Sequence, residues 1–305
     1  MARRDGERYK MTAREKRELR TGLLIVSPWI LGFLAFMLIP LLYSFAVSFT
    51  NYSFLAPPKF VGLDNYRKLL FEDPLIWKSL KITMIYAVLA VPSQLILGFI
   101  LALLLNSKVR GIAFFRALFY LPTLVVVVAT SLLWRQMLDT DFGILNYFLT
   151  RLGLKGVRWL AGTSTIMLSL ILIGLWGCGR SIIINLAGMQ SISTELYEAA
   201  TVDGCGKIRQ IFAITIPMMS STIFLNLITG LISAFKTFTM VKVLTDGGPD
   251  NASLFYMLYL YKNAFQNYKM GYASAMSWLF FLIVAVLTIL VFKLSKSWVY
   301  YGGGD

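Results

Sequence analysis

The residues of this chain able to act on something outside it are concentrated in 197–219, YEAATVDGCGKIRQIFAITIPMM, which carries Glu198, Asp203, Lys207 and Arg209 between two long apolar runs. Enzymatic chemistry has little to work with elsewhere. There is no histidine, which removes a Ser-His triad, a histidine metal site and a histidine proton relay. Cys178 and Cys205 form no pattern and are expected to be free thiols. The stretch GCGK (204–207) lacks the earlier glycine and the spacing of a phosphate-binding loop, so the chain is not expected to bind ATP in that way. Contact chemistry remains. SISTELYEAA (191–200) opens with Ser and Thr, which cap helices, and places Glu195 and Glu198 in the first turns, where the helix dipole favours acids. Ala199 and Ala200 are small enough to let another surface approach. Asp203-Gly204 suits a left-handed stop, and KIRQIFAITI leads through a second helical piece to Pro217. Physics leaves two readings open: an ordinary helical connection, or a short helix that fits a groove on another protein.

The elements around this loop must be membrane spans. The 305 residues are 57% hydrophobic and only 14% charged, too apolar for a soluble domain of this length. Six runs can cross about 30 Å of hydrocarbon. They lie near 22–49, 82–105, 112–137, 165–189, 216–243 and 273–293, with Pro28, Pro40, Pro92 and Pro122 within or at the edges of the first three. The reading is all-α and polytopic. The first run is too long for a signal peptide and is expected to be retained. Residues 1–21 form a basic tail, 22–297 the six-span domain, and 298–305 a short terminal tail; the polar loop occupies about 190–216. Arg14 and Glu18 can pair along a helical tail.

The net charge of +14 belongs to the connections between spans, so it argues for topology and against nucleic acid. With the N-terminus inside, the inner connections carry 16 Lys and Arg and the outer ones eight. Both termini and the 190–216 loop are therefore expected in the cytoplasm.

Polar and small residues inside the spans are the candidates for a solute path. Gly174, Gly177 and Ser181 share one face of span four, with Trp176 beside them; Asn226, Gly230, Ser233 and Thr237 recur at +4, +3, +4 in span five. At helical rise, Gly177 lies ~20 Å from one membrane face and Asn226 ~15 Å from the other, so the stripes overlap in depth. Such stripes also serve close helix packing, and both readings stand. Arg180 and Lys236 are expected to snorkel to opposite interfaces; a Lys236 that faced the pore would instead point to an acidic saccharide or a sugar phosphate. An ion-coupled transporter would want an acid at a span centre and a membrane enzyme a clustered carboxylate or metal site; neither is present in the sequence.

Glu198-Ala199-Ala200, Asp203-Gly204, Phe212 and the ending Ile214-Thr215-Ile216-Pro217 resemble the Glu-Ala-Ala loop of ABC importer permeases. Cys205 stands where that family usually has alanine. FVGLDNYRKLL (60–70), VPSQLILGFILALLLN (91–106), FRALFYLPTLV (115–125), WRQMLDTDFGILN (134–146), LTDGGPDNAS (244–253) and YKMGYASAMS (268–277) resemble further stretches of the carbohydrate branch, of maltose and multiple-sugar type, so the resemblance covers nearly the whole chain. It implies the type I importer (MetI-like) permease fold in a bacterial cytoplasmic membrane. It implies a non-catalytic subunit that moves a carbohydrate, an oligosaccharide in the first instance, by alternating access; glycerol phosphate or another small polar solute is the alternative. Glu198, Ala199, Ala200, Asp203 and Gly204 would then couple to an ATPase. Trp176, Gly177, Asn226, Gly230, Ser233 and Thr237 would line the path. The implied partners are a second, different but homologous permease, two ABC ATPase subunits that hold ATP and Mg, and an extracytoplasmic solute-binding protein.

Overall fold

The computed structural model describes residues 12–54, 57–107 and 109–300. The far part of the basic tail (1–11), the terminus 301–305, and Lys108 among the cations counted between spans two and three lie outside the described residues. Among those described there are helices and an isolated bridge from Thr50 to Phe60, and no strand.

Three helices are long and apolar enough to cross a membrane unbroken: Ala13–Val47, Pro74–Leu105 and Met270–Ser295. Three further candidates are bent pairs that pass the same test only as units: Ile112–Leu124 with Val127–Met137 (99°), Ile166–Trp176 with Gly179–Gln190 (49°), and Lys207–Met218 with Ser220–Phe235 (67°). Counting each pair as one, these are spans one to six in chain order.

Their boundaries follow local chemistry that hydropathy does not register. Span one starts at Ala13, well before its apolar run, because Thr12 and Glu15 form a reciprocal capping box and Arg14 pairs with Glu18 at 2.9 Å. Span two starts at Pro74, a residue suited to the first turn, with Asp73 capping the Leu75 N–H at 3.0 Å. Lys78, which hid this turn from an apolar count, donates its Nζ to the Asp250 carbonyl at 2.9 Å.

Proline acts twice in the same way. Pro40 and Pro217 lack the N–H that would close the turn four residues back, and their rings crowd that carbonyl. In each case a π-helical turn, Leu34–Leu38 or Ile211–Thr215, ends two residues before the proline. The Ile39 and Ile216 N–H groups reach back to the Leu34 and Ile211 carbonyls, which widens the helix by one residue. Span three breaks after Pro122 within a run of valines, where Val125 and Val126 are extended. Span four breaks at Gly177-Cys178.

Span two is the central post. It buries Ile82, Tyr86, Ala87, Ala90 and Val91 on one face and Ala102 and Leu105 further along, against spans four and five. Small residues permit the approach: a Cβ on Gly98 would stand 2.6 Å from Ser181 Oγ, and one on Gly230 would stand 3.1 Å from Val91 Cγ1. Gly98→Leu is therefore expected to destabilise the protein by roughly 2 kcal/mol, read as a lowered unfolding midpoint in detergent. Gly32→Leu, where nothing stands within 4 Å, is the control and should leave that midpoint in place. At the end of the bundle where spans two and six begin, Asp73 Oδ2 accepts hydrogen bonds from both Tyr259 and Tyr272 at 2.6 Å, tying the two starts together.

Candidate functional site

The loop after span four builds a short, stapled helix. Ser193 caps it, its hydroxyl accepting from the Glu195 N–H at 3.3 Å, and the helix runs Thr194–Val202. Gly204 ends it at φ +76. The Cys205 N–H donates to the Ala200 carbonyl at 2.8 Å and the Gly204 N–H to Thr201 at 3.1 Å, a pair of bonds that satisfies the last carbonyls of the helix. Gln210, on the following helix, closes the unit. Its Nε2 donates to Thr201 Oγ1 at 2.9 Å and to the Cys205 carbonyl at 3.0 Å, and the Tyr197 hydroxyl bonds Thr215 Oγ1 at 2.9 Å. These contacts fix the helix against span five and leave its other side free.

That free side holds the predicted residues. Glu198, Ala199, Asp203 and Gly204 are exposed and Ala200 is half-buried. Glu198 has no ion pair within the described residues. Around them Val202, Ile208 and Phe212 are 88%, 75% and 67% exposed, an apolar display that a protein surface keeps for contact. Hence Gln210→Ala is expected to quicken hydrogen exchange at the Gly204 and Cys205 amides by about tenfold, through loss of two hydrogen bonds, with the global unfolding midpoint nearly unchanged.

Within the bundle, Gly177, Arg180 and Ser181 of span four and Asn226, Gly230 and Ser233 of span five meet at one cavity of about 210 Å³. Gln94 of span two and Thr229 complete its polar lining. A neighbouring cavity of about 500 Å³ shares Gly177 and Arg180 and adds Trp176, Gly174, Tyr120 and Thr130. The Trp176 ring stands edge-on to Trp134 at 6.0 Å. A polar ladder runs beside the smaller cavity: Asn226 Nδ2 donates to Asn185 Oδ1 at 3.0 Å and Asn185 Nδ2 to Ser181 Oγ at 3.3 Å. The small residues thus both pack the helices and line space.

Two expectations change. The helix Ser220–Phe235 of span five ends before Thr237, which therefore leaves the stripe; its hydroxyl donates to the Ser233 carbonyl at 3.3 Å and it lines neither of these two cavities. The bend at Gly177-Cys178 splits the span-four stripe between the two cavities. Arg180 is exposed and lines both of them. Lys236 caps the C-terminus of Ser220–Phe235, where the helix dipole favours a cation. Gln94, Asn185 and Thr229 were not among the predicted site residues; the sequence signal that could have found them is their polarity within apolar runs. Cys178 is buried and Cys205 partly exposed, both free.

Residues 79–299 match the family described as the binding-protein-dependent transport system inner membrane component. The chain is 39% identical over 284 residues to a probable ABC transporter permease protein, YesP, of Bacillus subtilis, covering 92% of each. It is 30% identical over 285 residues to the trehalose/maltose transport system permease protein MalF of Thermococcus litoralis, covering 92% of this chain and 95% of that one. Its fold matches a chain of the bacterial alginate ABC transporter, solved in complex with an alginate pentasaccharide-bound periplasmic protein, with a TM-score of 0.81 and 24% identity over 92% of this chain and 96% of that one.

Proposed function

Because the chain belongs to the family of binding-protein-dependent transport system inner membrane components, non-catalytic permease subunits, we propose that it is one half of the membrane path of an ATP-driven importer for an oligosaccharide. The observation that carries the mechanism is the short helix Thr194–Val202, stapled on one side by Gln210 and Tyr197 and presenting Glu198, Ala199, Asp203 and Gly204 on the other. Such a rigid projection transmits displacement rather than absorbing it. An ATPase that closes on ATP and Mg draws this helix with it, and the π-turn and bend at the start of span five pass the motion to the cavity. The ATP chemistry stays on that partner. The trehalose/maltose name of the Thermococcus relative supports a saccharide cargo, and the hydroxyl- and amide-lined cavity suits one.

The partners in this proposal are a second, homologous permease that completes the path, two ATPase subunits beneath the Glu198 loop, and a binding protein that delivers the sugar from outside. Both termini and the 190–216 loop face the cytoplasm of a bacterial cell. The test of transport is ATP-dependent uptake of labelled oligosaccharide into proteoliposomes holding all subunits, against vesicles lacking this chain; equal uptake in both would sink the reading. The test of orientation uses Cys205, which is partly exposed, against Cys178, which is buried. A membrane-impermeant maleimide is expected to label the chain in inside-out vesicles, to lose that label in Cys205→Ser, and to leave right-side-out vesicles unlabelled. Labelling of Cys205 from outside would reverse the topology.

A further inference from the structure

We propose that the cargo is an anionic saccharide and that Arg180 is the residue that selects it. This rests on the carbohydrate-permease reading and adds the charge of the substrate.

Arg180 carries a charge with no counterpart among the described residues. Arg180 sits beside the break of span four, far from either end of the pair Ile166–Trp176 and Gly179–Gln190. A guanidinium at such depth is costly in hydrocarbon unless an anion or water meets it. The sequence supplies no anion at that depth: there is no Asp or Glu between Asp73 and Asp139, between Asp141 and Glu195, or between Asp203 and Asp246. The ion pairs among the described residues use Arg14, Arg67, Lys242 and Lys262, and no described hydrogen bond engages the Arg180 side chain. Arg180 is also the second residue of the helix Gly179–Gln190, where the dipole disfavours a cation. Local structure therefore adds to its cost instead of relieving it.

Its surroundings show what would relieve it. Arg180 lines both the 210 Å³ and the 500 Å³ cavity, so one guanidinium borders both. Gln94, Ser181, Asn226, Thr229 and Ser233 stand around the smaller cavity, and the Gln94 amide has no hydrogen-bond partner among the described residues. Amides and hydroxyls match sugar hydroxyls, and the planar fork of Arg matches a carboxylate or a phosphate. A lipid-facing or helix-packing surface needs neither set. The juxtaposition fits a hydroxylated ligand with one acidic group, a uronate or a sugar phosphate, held at the bend of span four.

The test is uptake into proteoliposomes of the complete transporter. The probes are oligogalacturonate, its methyl ester (the same sugar without the charge), a sugar phosphate and a neutral malto-oligosaccharide. Wild type is expected to take up an acidic probe and to discriminate against the uncharged ones; whether galacturonate or the phosphate is taken up identifies the acidic group. Arg180→Gln should lower that uptake roughly ten- to a hundredfold, the loss of one charge-assisted pair, with subunit co-purification and basal ATP hydrolysis unchanged. Arg180→Lys should keep part of it. Wild type that moves the ester or the neutral sugar as well as the acids overturns the proposal without any variant, so a folding defect in Arg180→Gln cannot shield it. Full uptake by Arg180→Gln overturns it as well. A wild type that moves none of the probes overturns it together with the carbohydrate reading.

Discussion

Glu198→Lys in the assembled transporter is expected to reduce ATPase co-purification by at least about thirtyfold and to abolish binding-protein-stimulated ATP hydrolysis. Glu198 is exposed on a helix that the chain itself stabilises without it, through the Ser193 cap, the two Gly204-Cys205 bonds and the Gln210 staple. Reversing its charge should therefore leave the fold intact. In the proposed complex the same carboxylate would face the ATPase, where truncating one partner of a desolvated charged pair costs about 2–5 kcal/mol and like charge costs more. Gly204→Val probes the same surface by shape. At φ +76 a β-branched residue is strained, the left-handed conformation costing roughly 1–2 kcal/mol for a residue with a Cβ. The expected outcome is partial uncoupling in Gly204→Val and near-normal coupling in Gly204→Asn, because Asn tolerates this conformation. The readouts are pull-down of the ATPase and stimulated hydrolysis, with circular dichroism as the fold control. Normal stimulated hydrolysis in Glu198→Lys would remove the coupling role from this loop.

Gly271→Ala is expected to be the most destabilising small substitution in the chain, by roughly 3 kcal/mol, at the upper end of what overpacking produces. Gly271 lies in the first turn of span six, and its N–H donates to the Tyr52 carbonyl at 3.0 Å. An added Cβ would overlap the Thr50 carbonyl oxygen and stand 3.1 Å from the Tyr52 nitrogen. Those atoms are backbone, so no side-chain rotation makes room. The segment they belong to is itself tied down: Asn65 Nδ2 donates to the Ser48 and Thr50 carbonyls, both at 2.8 Å. The clash must separate the end of span one from the start of span six. A fall in the unfolding midpoint of many degrees, with loss of membrane yield, is the expected result. Gly271→Ala protein with a wild-type midpoint would mean that this junction carries little of the stability.

Much of this molecule was legible along the chain. Each of the six apolar runs overlaps a candidate span, three of them only as bent pairs, and span five, expected at 216–243, begins earlier at Lys207 and ends at Phe235; the Thr194–Val202 helix was expected from its Ser and Thr cap and its Asp-Gly stop, and the Arg14–Glu18 pair from its i,i+4 spacing. All of these depend on neighbours within a turn or two, or on total apolar length, and a linear sequence carries both kinds of information. Prolines were visible too, but their consequence was not. Pro40 is absorbed by the π-turn Leu34–Leu38, a widening of the helix that a pattern of apolar residues does not display.

The tertiary structure alone decided which polar residues meet. Asn226, Gly230 and Ser233 keep the helical spacing that suggested a face, whereas Thr237, next in the same series, falls past the helix end at Phe235. Spans four and five bend by 49° and 67°, and Gly177, Arg180 and Ser181 share with Asn226, Gly230 and Ser233 one cavity that Gln94 of span two also lines. Arg180 shows the limit most clearly. Its sequence neighbours gave no sign that it borders two cavities; the structure places it on the lining of both. Hydrophobicity and capping are local or additive, so the sequence alone determined the spans and the projecting helix. A cavity exists only where several helices fail to fill space together, so it had to wait for the angles between them.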